Sequence, residues 1–216
     1  MGDGFYFAHP SVSNSELKDL RKVYNGMTLD ISEALFKKFT LGNIVDSYLT
    51  DKGVRVPGVT PEQERLAVAI VRFMRTDPVI KIFIDHMVGQ FQFFKLLTAE
   101  YEGETFTIKA RCKFDGFSKR FKIAVEYKTT SCTTQKSFVE SIDFLCYDQG
   151  GAWYLDIAYT WARCPVERLW IIGVNPSTLQ VFKFAMIRGD ETHARGVKKY
   201  SFWSFKYIKL IDGFNA

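Results

Sequence analysis

The chain has 216 residues, 47% of them hydrophobic, with 29 Lys plus Arg against 24 Asp plus Glu for a net charge of +5. That is enough apolar material for one well-filled core, and the mild basic excess helps a polyanion approach without naming one. No run of about 18 uncharged apolar residues is present, and "MGDGFYFAHP" lacks the basic-then-apolar order of a signal peptide, which excludes a membrane span and sets the expectation of a soluble, cytoplasmic protein.

In "SVSNSELKDLRKVY", Ser13 followed three residues later by Glu16 forms a capping box, and Leu17, Leu20 and Val23 supply a helical apolar stripe. A second helix is predicted from about Leu29 to Leu49, weakened locally by Gly42. A third opens at Thr60, Pro61 and Gln63, and a short fourth follows Asp77 in "TDPVIKIFIDHM". The period then changes to two. The stretch from Phe91 to Thr130 reads as three antiparallel strands broken at "YEGE" and "DGFSK", each with one core face and one charged face: Phe121, Ile123, Val125 and Tyr127 against Lys122, Ala124, Glu126 and Lys128 on the third. Helix returns from about Gln135 to Ala162, two strands turn at Asn175, Pro176 and Ser177, and a basic, aromatic terminal helix closes the chain. The expected class is α+β in a single domain over 1–216: a mainly helical part (1–90), a sheet core with a crossover helix (91–187) and a helical tail (188–216).

Cys112, Cys132, Cys146 and Cys164 lie 14 to 20 residues apart with no C-x-x-C pair, so reduced, mostly buried thiols are expected rather than a zinc ribbon or a disulfide framework. His9, His86 and His193 share no metal-ligand spacing and are read as structural or surface groups.

"VEYKTT" departs from a plain strand. Glu126 and Lys128 stand two apart and therefore on one face, and Asp115 ends the preceding strand eleven residues earlier, where a hairpin brings both carboxylates to the same end of the sheet. Two carboxylates in a small space repel unless one is protonated or a cation lies between them. Magnesium suits such a place, with hard oxygen ligands and open positions for phosphate, and Lys128 can orient water or balance charge on a phosphate. Read without that context, Glu126 and Lys128 are a surface ion pair.

The order of these residues resembles the PD-(D/E)XK nuclease superfamily, closest to its RecB-like and exodeoxyribonuclease VIII-like members, many of them encoded by phages or prophages; the resemblance runs from "SVSNSELKDL" to "RLWIIGVN". It implies a core of helix, three-stranded antiparallel meander, helix and strand. It matches the strand acid to Asp115 and the E-x-K signature to Glu126 and Lys128, with the peptide carbonyl of Tyr127 facing the metal, and it matches a glycine followed four residues on by an acid to Gly42 and Asp46 in "LGNIVDSYL". On these terms Asp46, Asp115, Glu126 and Tyr127 hold Mg²⁺ or Mn²⁺. In "YDQGGAWYLD" the family helix keeps Tyr147, Asp148, Ala152, Trp153 and Tyr154, but Gly150 stands where glutamine is expected, and Gln149 is one place early, about 100° round the helix. Gln149 and Tyr154 are carried over as site residues on this basis, Tyr154 reading equally as a buried aromatic.

Ser13, Asn14 and Ser15 resemble a serine-rich helix entry that offers hydroxyls and N–H groups to phosphate, against plain capping by Ser13. Lys119, Arg120 and Lys122 read as backbone contacts for nucleic acid or as a solvated turn. The resemblance implies a Mg²⁺-dependent deoxyribonuclease, an exonuclease of phage-type recombination, with DNA as substrate and a single-strand annealing protein as a further partner; the alternative is a catalytically impaired nucleic-acid-binding protein on the same fold, and a third is a hydrolase of small phosphodiesters. Related exonucleases form rings around a duplex, so the aromatic tail near Trp203 and Phe205 is either an interface of a homo-oligomer or core.

Overall fold

The computed structural model describes residues 3–28, 33–50, 56–159 and 165–214. The elements run α1 (Asp3–Ala8), α2 (Asn14–Tyr24), α3 (Glu33–Thr50), α4 (Pro61–Met74), α5 (Pro78–His86), β1 (Val88–Tyr101), β2 (Glu104–Ser118), β3 (Ile123–Thr129), α6 (Gln135–Phe144), α7 (Tyr147–Tyr159), β4 (Arg168–Val174), β5 (Val181–Ile187) and α8 (Glu191–Phe214). The expected start of the second helix near Leu29, the end of the crossover helix at Ala162, and Cys164 lie outside the described residues.

Helix starts follow the sequence signals. Ser13 and Glu16 close a reciprocal capping box on α2, Thr60 and Gln63 do the same on α4 with Pro61 in the first turn, and the Asp77 carboxylate accepts from the N–H groups of Val79 and Ile80 on α5. Glu102 and Gly103, at φ of 52° and 80°, turn β1 into β2 through the left-handed pair a two-residue hairpin requires.

The five strands lie in the order β1-β2-β3-β4-β5, antiparallel throughout except for β3 and β4, which run parallel. A parallel pair needs a crossover, and α6 and α7 provide it. Placing that crossover on one face while α3, α4 and α5 pack on the other buries the sheet from both sides. One core gathers Leu17, Phe114, Phe138, Trp153, Leu169 and Met186; the second gathers Ile44, Ile70, Ile80, Val125, Tyr127 and Ile172. Among the described residues no helix is long and apolar enough to cross a membrane.

Three expectations need correction. β3 has no solvated charged face: Ala124 and Val125, on opposite faces, are both fully buried, because a central strand with a parallel neighbour is covered by helices on both sides. The break expected at "DGFSK" falls later, since β2 continues through Asp115 and Gly116 to Ser118 and the chain reverses over residues 119–122, with Lys122 at φ 53° and Phe121 in the turn rather than the core. The single helix expected from Gln135 is two, parted at Cys146, whose φ of 53° ends one helical path and starts another.

Candidate active site

β2 and β3 pair only at Gly116 with Val125, Phe117 with Ala124 and Ser118 with Ile123, and then part. The next facing residues are Asp115 and Glu126. Asp115 replaces the lost ladder bond with its side chain, Oδ2 accepting from the backbone N–H of Tyr127 at 2.8 Å. On the other side of β2 the β1 register skips Gln90, which stands opposite Asp115 at φ 52°; turned out of the ladder, its amide donates to Asp46 Oδ2 at 2.9 Å and to Thr50 Oγ1 at 3.1 Å.

The ammonium of Lys128 donates to Glu126 Oε2 at 2.7 Å and lies 3.8 Å from Asp115 Oδ2, so two carboxylates converge on one cation. Glu126 is 7% exposed, and its Oε1 is buried without a hydrogen-bond partner. Burial and then the charge of Asp115 push its carboxyl up to about 7, outweighing the attraction of Lys128. Burial alone would lower the Lys128 ammonium, but Glu126 and Asp115 hold it above the ordinary lysine range. With two acids against one ammonium, the cluster holds an excess negative charge that a proton or a cation would relieve.

Glu126 and Lys128 open into a cavity of about 140 Å³, walled by Asn14, Ser15 and Lys18 of α2 and by Tyr147, Gly150, Gly151 and Tyr154 of α7, with Leu169 and Ile171 of β4 behind. The α7 residues fall at helical spacings of three, four and seven, one face of the helix. Tyr154 stands edge-on to Phe114, ring centroids 5.5 Å apart, and burial raises its phenol well above the ordinary value.

Gln149 does not line this cavity. It is fully buried one step round the helix, where Nε2 donates to Asn14 Oδ1 at 3.0 Å, so it positions Asn14. Gly150 takes the facing position, where a Cβ would lie 2.8 Å from Asn14 Nδ2; the absent side chain leaves room for the Asn14 amide.

The structure brings together Asp115, Glu126 and Lys128, with Asn14, Ser15 and Tyr154 on the surrounding wall. It does not bring Asp46 into one group with them: among the described residues no three His, Cys, Asp or Glu side chains gather closely enough to hold a metal, and Asp46 stays on the α3 side, bonded by Gln90. Tyr127 sends its ring into the second core, where burial and then Asp115 and Asp46 raise the phenol above the ordinary range. Ser13 is taken by capping, its Oγ accepting from Glu16 N at 3.3 Å and its N–H donating to Glu16 Oε2 at 2.6 Å. Lys119, Arg120 and Lys122 occupy the exposed turn before β3, six residues or about 20 Å along the strand direction from Lys128; they do not border the site. His193 and His9 are structural, the first bonded to Asp156 Oδ1 at 3.1 Å, the second to Ser11 Oγ at 2.6 Å.

Two residues escaped the sequence reading. Lys18 lines the cavity, and its spacing of three from Ser15 on a capped helix was a signal that could have found it. Gln90 carried none, since its role depends on a left-handed backbone opposite Asp115.

No family model and no curated protein matches the chain. Among solved structures it is similar to SSO0001, with 13% identity and a TM-score of 0.37 over 79% of this chain and 86% of that one. It is also similar to a phage-related exonuclease from Haemophilus somnus 129PT, with 12% identity and a TM-score of 0.45 over 98% of this chain and 99% of that one. Both likenesses are remote.

Proposed function

We propose that the protein is a nuclease dependent on Mg²⁺ or Mn²⁺ that hydrolyses phosphodiester bonds in DNA, an exonuclease of the PD-(D/E)XK type. The observation that carries this reading is the meeting of Asp115, Glu126 and Lys128 where β2 and β3 part, with Glu126 and Lys128 lining a cavity. The residues fit a divalent ion: Glu126 Oε1 is a buried oxygen without a partner, and the Lys128 ammonium already sits between two carboxylates as a cation must. Magnesium needs only one or two carboxylates besides water and substrate phosphate, so the pair suffices. Asp115 and Glu126 would hold the ion with the Tyr127 carbonyl, and Asp46 would join by exchanging its bond from Gln90.

When bound, the ion would polarise the phosphate and make a water more acidic. Lys128, held in place by Glu126 and Asp115, would offset part of the negative charge as it builds on the phosphoryl oxygens. Asp115, tied to Tyr127 N, keeps the end of β3 rigid, so that Glu126 and Lys128 hold their spacing. Tyr147 and Tyr154 wall the cavity against bulk solvent.

A second reading, a DNA-binding protein that has lost turnover, draws on Gly150, which leaves bare the α7 position where the resemblance expects glutamine. End-labelled linear and circular DNA incubated with Mg²⁺, Mn²⁺ or chelator separates the two. Metal-dependent digestion by the wild type, lost in Glu126→Ala and in Lys128→Ala, is the expected result. Wild-type-like digestion by either variant removes the role given to that residue, and DNA binding without cleavage under every metal favours the second reading.

A further inference from the structure

We infer that Lys18 is the residue that contacts the substrate phosphate from the side opposite the strand, acting as the second cation of the cavity. The inference rests on the nuclease reading for its substrate, but its geometry stands without it. Lys128 cannot serve a phosphate with its full charge, because Glu126 at 2.7 Å and Asp115 at 3.8 Å already offset it. Lys18 is in the contrary position. It lines the same cavity and its ammonium stands 5.6 Å from the centroid of the Tyr147 ring; among the described residues the ammonium donates only to the carbonyl oxygen of Leu145, at 3.3 Å, and no carboxylate lies within ion-pair distance of it.

A half-buried cation with no acidic partner gains more from an arriving anion than one already paired does. This is visible in its proton affinity: burial and then the charge of Lys128 lower the Lys18 ammonium to about 8, so an arriving anion would be met by a group whose charge is not yet balanced. The position is built rather than accidental. Leu17, fully buried, pins α2 to the core, and the capping box at Ser13 and Glu16 sets the start of the helix, so that Asn14, Ser15 and Lys18 together form the α2 wall of the cavity. Glu126, whose Oε1 is buried without a hydrogen-bond partner, lines the same cavity. A cavity lined both by an ammonium without an acidic partner and by a carboxylate beside a second acid suits a phosphate that arrives with a metal ion, Lys18 meeting the anion and Glu126 the ion.

The test uses the full chain with Mg²⁺ present, titrated calorimetrically with inorganic phosphate and, separately, followed in single-turnover cleavage of linear DNA. Lys18→Met keeps the apolar stem over Tyr147 and removes the charge; Lys18→Arg keeps the charge. Phosphate affinity should fall about tenfold or more in Lys18→Met and return in Lys18→Arg, with thermal unfolding of both variants close to wild type. If cleavage occurs, its single-turnover rate should follow the same order. Phosphate binding that depends on Lys18 in a protein that cuts no DNA supports this inference while the nuclease reading fails. A wild type that binds no phosphate overturns the inference, and so does a Lys18→Met variant that binds and cuts as wild type does, even where cleavage remains dependent on Glu126 and the nuclease reading survives. If Lys18→Met unfolds, loss of binding in a folded Lys18→Gln decides in favour and its retention against.

Discussion

Replacing Glu126 by glutamine should stabilise the metal-free protein at alkaline pH. The Glu126 carboxyl is raised from 4.5 to about 7 by burial and by Asp115. At about 1.4 kcal/mol for each tenfold in proton affinity, carrying it ionised in the folded state costs about 3 kcal/mol relative to the unfolded chain. The attraction of Lys128 is already contained in that displacement, and glutamine has the shape of the neutral acid. The sign follows from proton binding. The folded state holds the proton more tightly, so the stability this group contributes is complete below pH 4.5, declines as pH rises toward 7, and is gone above it. Wild type and Glu126→Gln should therefore match near pH 4 and differ by about 3 kcal/mol at pH 8, the variant being the more stable. Urea unfolding followed by circular dichroism in chelator, at pH 4, 6 and 8, measures the difference. Repeating the series with Mg²⁺ should stabilise the wild type more than the variant, since a ligand that binds only the folded state adds to its stability. A difference independent of pH, or a variant less stable at pH 8, would show that Glu126 is not a buried excess charge, and the metal site would lose its physical basis.

Two further outcomes concern the scaffold. Gly196→Ala should destabilise by about 1–3 kcal/mol in thermal unfolding, because a Cβ there would lie 2.7 Å from Ala152 Cβ and closer still to the Asp148 carbonyl oxygen, where α8 crosses α7; an unchanged melting temperature would mean that the helices are not so close. Burial raises the Asp156 carboxyl, but bonds from His193 at 3.1 Å and Tyr200 at 2.6 Å, helped by Arg188 at 2.9 Å, leave it below the ordinary value. Asp156→Asn should therefore cost stability at pH 7, on the order of 3 kcal/mol for a broken buried pair, and the deficit should fade as acid protonates the wild-type carboxyl; a deficit that persists unchanged in acid would point to packing instead.

Much of the local structure was legible because its causes are local. Capping boxes at Ser13 and Thr60, the proline-initiated helices at Pro61 and Pro78, and the period-two stretch that became β1, β2 and β3 all depend on neighbours within a few residues. The burial of Glu126 was not legible, because alternation of apolar and charged residues reads as one solvated face, and only the parallel pairing with β4 and the crossover through α6 and α7 place helices over that face. The displaced glutamine was noticed as a register problem, but that Gln149 would turn to Asn14, 135 residues away, required the packing of two helices.

Sequence alone determined which residue types were available and in what order: an acid closing one strand, an E-x-K in the next, a capped helix ahead of them and a glycine pair behind. Tertiary structure decided which of them meet. Asp115 reaches Lys128 because β2 and β3 part after three pairs, Asp46 is taken up by a bond from Gln90, Lys119, Arg120 and Lys122 are carried to the remote end of the strand, and Lys18 is delivered to the cavity by α2. The physical reason is range: hydrogen bonds along the backbone set an element's form over a few residues, whereas the energy of a charge depends on what burial places around it, and that is known only once distant elements have packed.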